Sequence, residues 1–354
     1  MDHLVTLPTR EVKVALRLAT ASPKPIAGQI FLTRRCNLNC PFCAAPLHKS
    51  SELSPSAWCE ILDRLHVWGV RVLNFVGGEP TLYKGLWDVL AHAKRRGFIT
   101  VLHSNLHRTP ADFSRRLLEA GVYGLEASLD SLDGSLPKSD LKILGTLNEL
   151  RDRGVLPLVC SVLTSQNHSA IPEIAELTTA HGIPYVLAVY QSVGGRFSSG
   201  DAKLAPEPDD LRRVFSRLIE IKQRTHLVKN SFGFLENSQL HIDRTWHCDA
   251  TADHWLAVDA DGTLMPCQEF RSTLGVMDLQ ETSIHRNETW RNEKARVVGG
   301  CHGCTYQCYV DGEHAVGARF LREIGSYVFA LWTAGRRRRP AKLEGDGRVI
   351  PEVF

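Results

Sequence analysis

The sequence predicts an α/β protein: a partial (β/α)6 barrel followed by a small β-hairpin-plus-helix domain. Between residues 26 and 200, apolar stretches typical of buried strands alternate six times with amphipathic helical stretches. Strands that are each followed by a helix pair in parallel through right-handed crossovers. Six such units are too few for the closed eight-unit barrel, so we expect an open one. The small domain is predicted from a hairpin signal followed by closely spaced cysteines.

The six strands and their helices follow one another with turn residues between them. Runs rich in Val, Leu and Ile place strands near 28–34, 71–76, 99–104, 124–129, 157–164 and 184–190. Amphipathic spacing places helices near 55–69, 83–96, 110–120, 140–154 and 170–181, with another after 207. In such folds the functional residues lie just after the C-terminal ends of the strands.

Composition places the chain among ordinary globular proteins. Its 354 residues, of which 43% are hydrophobic and 23% charged, are enough for one large domain and a smaller one. A formal net charge of +3 indicates no nucleic-acid partner. No apolar run is long enough to span a membrane. Charged residues between Arg10 and Arg17 interrupt any signal-peptide core, so we expect a cytoplasmic protein.

Three cysteines share one short loop directly after the first predicted strand: Cys36, Cys40 and Cys43. Pro41 keeps this loop out of regular structure, so the three thiols can converge on one point. Converging thiolates favour zinc or an iron–sulfur cluster, because both prefer soft sulfur ligands. Three thiolates on a four-iron cluster would leave one iron open to a substrate or cofactor.

The spacing Cys-x3-Cys-x2-Cys, with the aromatic Phe42 before the last cysteine, resembles the signature of the radical SAM superfamily. The resemblance implies a [4Fe–4S] cluster on Cys36, Cys40 and Cys43 whose open iron chelates S-adenosylmethionine, with Phe42 beside the cofactor. It also implies an electron donor such as flavodoxin or ferredoxin. One electron then cleaves the cofactor to a 5′-deoxyadenosyl radical, which abstracts hydrogen from a substrate C–H bond.

Glycines and polar residues follow the later predicted strands. The box Gly77-Gly78-Glu79-Pro80 follows the second strand, and in the superfamily a similar box contacts the methionine amino group of the cofactor. The further candidates for cofactor contacts are Ser104, Asn105, Ser128, Asp130 and Gly194. Polar residues at these places are also typical of helix caps, and a glycine turn is also typical of a hinge. After the fifth strand no basic residue is found, although some relatives carry one there.

A second group of five cysteines comprises Cys248, Cys267, Cys301, Cys304 and Cys308. The segment 255–267 reads as a hairpin with Asp261-Gly262 at its turn, which would bring Cys267 back near Cys248. The order Cys-x13-Gly-x4-Cys resembles the opening of the SPASM extension or its shorter twitch form.

The number of cysteines in this group limits the clusters that it can hold. The full SPASM pattern has seven cysteines, so five imply one auxiliary [4Fe–4S] cluster with four thiolates bound and one spare. Cys308 is a candidate hydrogen donor if it is not a ligand. A structural zinc knuckle is the alternative for this group.

Domain boundaries follow from these motifs. Residues 1–25 are an N-terminal extension with an amphipathic stretch from Val12 to Leu18, too short for a fused peptide-recognition domain. The later segments are the barrel at 26–200, a linker and helical bridge at 201–240, the auxiliary-cluster domain at 241–312, and a C-terminal helix with a basic tail at 313–354. The run Arg336–Arg339 is typical of an anion-binding patch or of a solvated helix end.

The function predicted from these features is that of a radical SAM enzyme acting on a small molecule in a biosynthetic pathway. Its substrate radical would either lose an electron to the auxiliary cluster, which is an oxidation, or take a hydrogen from a spare thiol, which is an epimerisation. A maturase that modifies a ribosomal peptide or protein is the first alternative. A non-catalytic metal-binding or electron-transfer protein is the alternative from another class.

Overall fold

The structure is a computed structural model that describes residues 25–249, 253–280 and 282–314. The predictions for Val12–Leu18, for a helix over Ala315–Trp332 and for Arg336–Arg339 lie outside these residues. Within the described ranges, no helix combines the length and the apolar character that crossing a membrane requires.

The described residues contain one sheet in which the barrel strands follow their order in the chain. These strands are β1 (Ala27–Phe31), β2 (Val72–Val76), β3 (Ile99–Ser104), β4 (Gly124–Ser128), β5 (Leu156–Leu163) and β6 (Tyr185–Val189). Each pairs in parallel with the next. Because β6 does not return to pair with β1, the sheet is open. The predicted partial barrel is confirmed.

Helices connect the strands and cover the outer face of the sheet. The crossover helices are α1 (Pro55–Trp68), α2 (Leu86–Arg95), α3 (Phe113–Ala120), α4 (Lys142–Asp152) and α5 (Ala170–Ala180). The later helices are α6 (Pro208–Thr225), α7 (Phe232–Glu236), α8 (Ser238–Asp243), α9 (Glu288–Gly299) and α10 (Gln307–His314). The predicted bounds of barrel strands and crossover helices agree with these within three residues.

Helix α1 shows why the sequence specified these elements so well. The Ser54 side chain accepts a hydrogen bond from the Ala57 amide at 3.2 Å, and Pro55 occupies the first helical turn. Gly69 ends the helix with a φ of 114°. Between these signals the apolar face, with Trp58 fully buried, packs into the core against the sheet. Burial of each large apolar side chain contributes about 1.5–3 kcal/mol.

The predicted hairpin is present and extends the barrel sheet. It consists of β7 (Trp255–Val258) and β8 (Leu264–Met265), paired antiparallel. Strand β7 adds in parallel beside β1, so the sheet order is β6-β5-β4-β3-β2-β1-β7-β8. The second cysteine group is therefore joined to the barrel by strand pairing, which sequence spacing does not reveal. The domain boundaries given above stay a prediction.

A buried ion pair ties the hairpin to the loop of the first three cysteines. Arg34, two residues before Cys36, places its Nε 2.8 Å from Oδ1 of Asp259, which directly follows β7. Arg34 is 3% exposed and Asp259 is fully buried. Asp259 also lies 2.7 Å from Arg196 and 3.2 Å from Arg271, so it is replacement of Asp259 that would leave Arg34 as an uncompensated buried charge, at a cost of about 3–5 kcal/mol. This contact fixes the hairpin relative to the cysteine loop.

Candidate active site

A cavity of about 380 Å³ lies among the loops at the C-terminal ends of the barrel strands and extends along the concave face of the sheet. The predicted site residues that line it are Cys36, Cys40, Phe42, Cys43, Gly77, Gly78, Glu79, Pro80, Ser104, Asn105, Ser128 and Cys308. The predicted residues that do not line it are Asp130, Gly194, Cys248, Cys267, Cys301 and Cys304. The structure thus brings the first cysteine loop, the glycine box and one cysteine of the second group to a common volume.

The first cysteine loop is short and is held at its end by a neighbouring segment. The Cys43 amide donates to the Cys40 carbonyl at 3.0 Å, and Cys43 forms an isolated bridge with Ser198. Burial raises the pKa of the Cys40 thiol to about 11, and it raises the pKa of Cys36 and of Cys43 in the same direction. Without a metal these thiols are therefore neutral, and metal binding would release their protons.

The glycine box packs on the backbone that leads into the cysteine loop. An added Cβ at Gly77 would lie 2.4 Å from the Thr33 carbonyl oxygen, and one at Gly78 would lie 2.2 Å from that of Arg35. The Gly78 amide donates to Thr33 O at 2.8 Å, and the Glu79 amide donates to Arg35 O at 2.7 Å. Only residues without a side chain permit this approach. The glycines therefore serve contact between two loops of the protein, in addition to any contact with a ligand.

The Glu79 carboxylate joins the box to the end of β3. One oxygen accepts from the Ser104 hydroxyl at 2.8 Å, and the other accepts from the Asn105 amide at 2.9 Å. The Asn105 side chain in turn donates to Asn37 Oδ1 at 2.8 Å, inside the cysteine loop. Glu79 is only 1% exposed. The loops after β1, β2 and β3 therefore form one hydrogen-bonded unit, and the predicted cofactor contacts of these residues stay a prediction.

Lys138 is a cation in the cavity wall that the sequence reasoning missed. Its Nζ lies 3.7 Å from Asp130 Oδ2 and 5.2 Å from the centroid of the Phe42 ring. Burial alone would lower the pKa of Lys138, but the neighbouring Asp130 carboxylate raises it, and the net shift is upward. The ammonium group is therefore charged. A lysine in the irregular segment between β4 and α4 carries no sequence signal that separates it from a solvated loop residue.

Asp130, which was expected to contact cofactor or substrate, lies behind Lys138. It is 1% exposed, and its Oδ1 accepts from the Val162 amide at 2.8 Å. The Asp130 amide donates to the Lys138 carbonyl at 2.7 Å, so backbone and side chain both hold this segment. In this structure Asp130 positions Lys138, and Lys138 reaches the cavity.

Four thiols of the second group lie close to one another. Burial raises the pKa of Cys267, Cys304 and Cys308, and the neighbouring thiols, Cys248 among them, raise it further. Cys301 is not among the groups that shift the pKa of these three thiols. Its Sγ contacts the Gly303 carbonyl at 3.6 Å. The thiols that influence one another are therefore Cys248, Cys267, Cys304 and Cys308.

The second cysteine group adjoins the cavity through contacts that sequence reasoning also missed. The Gln191 side chain accepts from the Thr305 amide at 2.6 Å. The Tyr306 hydroxyl donates to Glu269, whose other oxygen accepts from the Phe197 amide at 2.8 Å. These contacts hold the segment around Cys304 and Cys308 against the loop after β6. No sequence motif marks the two acceptor side chains, Gln191 and Glu269, because the groups that donate to them lie far away in the chain.

The donor sets fit iron–sulfur clusters in number and in kind. The first loop offers three thiols beside a cavity, and the second group offers four, of which Cys304 is buried and the others are half-buried. In a four-iron cluster each thiolate binds its own iron, so the thiols surround a volume and do not meet at one ion. Among the described residues, no three His, Cys, Asp or Glu side chains are grouped to hold one metal ion.

Comparison with known proteins identifies the barrel. Residues 30–178 match the model of the radical SAM superfamily. PqqA peptide cyclase of Granulibacter bethesdensis is 29% identical over 219 residues, which cover 58% of each chain. Fe-coproporphyrin III synthase of Methanosarcina barkeri is 27% identical over 208 residues, which cover 55% of this chain and 51% of that protein. The chain spans about half the length of these curated relatives.

A solved structure shares the fold beyond the barrel. Streptococcus suis SuiB bound to precursor peptide SuiA matches with a TM-score of 0.63 at 17% identity, over 85% of this chain and 75% of that chain. Proteins of the radical SAM superfamily bind a [4Fe–4S] cluster and S-adenosylmethionine, and their SPASM-type members carry auxiliary clusters. Residues 30–178 are therefore a radical SAM domain, and the fold match to SuiB covers more of the chain than this domain.

Proposed function

We propose that this radical SAM enzyme modifies a ribosomally made precursor peptide by abstracting hydrogen from one of its C–H bonds. The observation that carries the proposal is the similarity to PqqA peptide cyclases, and the fold match to SuiB with a precursor peptide bound supports it. This places the peptide alternative ahead of oxidation or epimerisation of a small molecule, which the sequence alone had ranked first.

Cys36, Cys40 and Cys43 would hold the cofactor's [4Fe–4S] cluster. Together, the cluster and S-adenosylmethionine supply the 5′-deoxyadenosyl radical, a reagent that no amino-acid side chain provides. The residues of this chain would bind the cluster and the cofactor and orient them. Glu79 and the two box glycines keep three strand-end loops in register, and Lys138 supplies a positive charge that favours thiolates and a cofactor carboxylate.

Cys248, Cys267, Cys304 and Cys308 would hold the auxiliary [4Fe–4S] cluster, leaving Cys301 as the spare thiol. The electrostatic influence of these thiols on one another supports this assignment. Cys308 also lines the cavity, so the auxiliary site adjoins the volume where the substrate would lie. As a ligand, Cys308 would not be free to act as a hydrogen donor. An oxidative outcome, such as a cross-link formed with loss of two hydrogens, is consistent with an electron acceptor at this place.

The cavity would also shield the radical from water and position the substrate. Its walls combine buried apolar side chains of the strands with the fixed dipoles of the loops, and such a setting excludes water from a reactive radical. It also restricts which substrate atom faces the radical, and correct placement of two reacting groups accounts for a large part of enzymatic rate enhancement.

Anaerobic reconstitution with iron and sulfide, followed by S-adenosylmethionine and dithionite, tests the first half of the proposal. Dithionite replaces the natural electron donor, for which a flavodoxin or ferredoxin stays the prediction. We expect 5′-deoxyadenosine from the protein and from a Cys59→Ala control, whose thiol lies on α1 outside both groups, and none from Cys40→Ala. Absence of 5′-deoxyadenosine from the unsubstituted protein would overturn the enzymatic assignment.

The second half of the proposal concerns the substrate. Candidate precursor peptides encoded near this protein's gene are incubated with the active enzyme and analysed by mass spectrometry. We expect one peptide to lose two hydrogens, with one 5′-deoxyadenosine formed per modified peptide. If 5′-deoxyadenosine forms but only small molecules are altered, the peptide assignment is wrong and the small-molecule hypothesis returns.

A further inference from the structure

The concave face of the sheet carries polar side chains on six adjacent strands. We call these residues the barrel floor; in the order β7, β1, β2, β3, β4, β5 they are Trp255, Gln29, Asn74, His103, Glu126 and Cys160. All six line the cavity, and each belongs to a strand and not to a loop. The pairing register supports this grouping, because Gln29 lies opposite Asn74 and His103 opposite Glu126.

A polar floor is unusual for strands of this kind. Parallel strands covered by helices are normally apolar on both faces. Here the helix-facing residues follow the rule, with Leu73, Phe75, Leu102 and Leu125 fully buried. The cavity face departs from it on six strands, whereas Thr100 and Ser161 are buried polar residues of the helix-facing side. Removing a polar group from water costs free energy unless the group is hydrogen-bonded. This band of polar residues therefore indicates a binding surface.

The centre of the barrel floor is a fixed hydrogen-bonded pair. His103 Nδ1 lies 2.7 Å from Glu126 Oε1, and His103 Nε2 lies 3.2 Å from Asn74 Oδ1. Burial alone would raise the pKa of Glu126, but its interactions with His103 outweigh burial and lower it, so the carboxylate is ionised. The Cys160 thiol also hydrogen-bonds to this carboxylate. These residues satisfy one another and hold Asn74 in place.

Two polar atoms at the β7 and β1 end of the barrel floor have no hydrogen-bond partner among the residues that the structure describes. They are Gln29 Oε1 and Trp255 Nε1, and both atoms are buried. The two residues are on adjacent strands, and Trp255 lies opposite Ala27, two positions from Gln29 on the same face. One unpaired acceptor therefore lies near one unpaired donor. Each unpaired group raises the free energy of the protein, and a ligand that forms the missing hydrogen bond would remove this cost.

We propose that this end of the barrel floor binds an amide group of the substrate. Trp255 Nε1 donates to the amide oxygen, and Gln29 Oε1 accepts from the amide nitrogen. A carboxylate would present a second acceptor to Gln29, and a guanidinium would present only donors to Trp255. The proposal rests on the proposed function, because a peptide contains amides in its backbone and in its Asn and Gln side chains.

Binding of small amides to the reconstituted protein tests the proposal without requiring catalysis. The protein is labelled with 5-fluorotryptophan, and the Trp255 resonance is assigned by its absence in Trp255→Phe. N-methylacetamide represents a backbone amide, propionamide represents a side-chain amide, and acetate and guanidinium serve as the unsuited groups. We expect an amide to shift the Trp255 resonance saturably. Gln29→Met, which keeps the length of the side chain but removes the acceptor, weakens this binding roughly fivefold.

The comparison between probes identifies the source of the amide. Tighter binding of N-methylacetamide indicates recognition of the peptide backbone, and tighter binding of propionamide indicates an Asn or Gln side chain. Equal shifts with all four probes, no saturable shift with either amide, or unchanged binding in a folded Gln29→Met protein would overturn the inference. Formation of 5′-deoxyadenosine by the same preparation is measured separately, so failure of the proposed function is distinguishable from failure of this one.

Discussion

Replacing Gly78 by alanine separates two loops on which the cofactor site depends. The added Cβ would lie 2.2 Å from Arg35 O, whereas ordinary contact begins near 3.4 Å, so the backbones must move apart by 3.4 − 2.2 = 1.2 Å. The two hydrogen bonds between these backbones, at 2.8 and 2.7 Å, would then be lost. Each contributes about 1 kcal/mol. Overpacking adds about 1–3 kcal/mol, which gives a total destabilisation of about 3–5 kcal/mol.

Urea unfolding of the reconstituted protein measures this loss, and iron analysis measures its effect on the first cluster. The matched control is Gly145→Ala, because Gly145 lies inside α4 with nothing within 4 Å of its added Cβ. Alanine there should stabilise by up to about 1 kcal/mol through helix propensity. We expect Gly78→Ala to lose about half of the bound iron, since the box packs on the backbone that leads into the first cysteine loop. Wild-type stability and full iron content in Gly78→Ala would refute the packing argument.

Three further outcomes are expected. Cys301→Ser should retain the iron of the second group, whereas Cys304→Ser should lose it; equal loss in iron analysis would contradict the choice of Cys301 as the spare thiol. Lys138→Met should weaken S-adenosylmethionine binding in equilibrium dialysis roughly tenfold or more, while the exposed Lys142→Met leaves it unchanged. Burial raises the pKa of Asp311 to about 6, above its unfolded value, so its ionisation removes stability as the pH rises from about 4 through 6. Urea unfolding should therefore show Asp311→Asn gaining stability relative to the unsubstituted protein between pH 5 and pH 8, and a constant difference would contradict the assignment.

The elements of the fold were predictable because their causes are local. In α1 a capping serine, a proline in the first turn, an apolar stripe and a terminal glycine occur in sequence order, and each acts within a few residues. The first cysteine loop and the glycine box were predictable for the same reason. What the sequence could not indicate is that β7 pairs with β1, since that contact joins residues more than 200 positions apart.

The missed site residues share one property: their roles depend on strand register. Asn74, His103 and Glu126 are single polar residues in three separate strands, and each alone is compatible with many roles. Only parallel pairing places them side by side, with His103 opposite Glu126. Lys138 is missed for a related reason, because Asp130 and the cysteine loop that determine its role lie on other segments.

The structure also changes the meaning of the conventional motif residues. The glycine box was expected to approach a ligand, but its closest neighbours are Thr33 O and Arg35 O of the cysteine loop. Glu79 was expected to face the cofactor, but its two oxygens already accept from Ser104 and Asn105. A charged residue whose hydrogen bonds are used inside the protein acts mainly by fixing its partners. The box therefore holds the loops of the candidate site together, and loss of packing in this unit should lower cluster occupancy and cofactor affinity together.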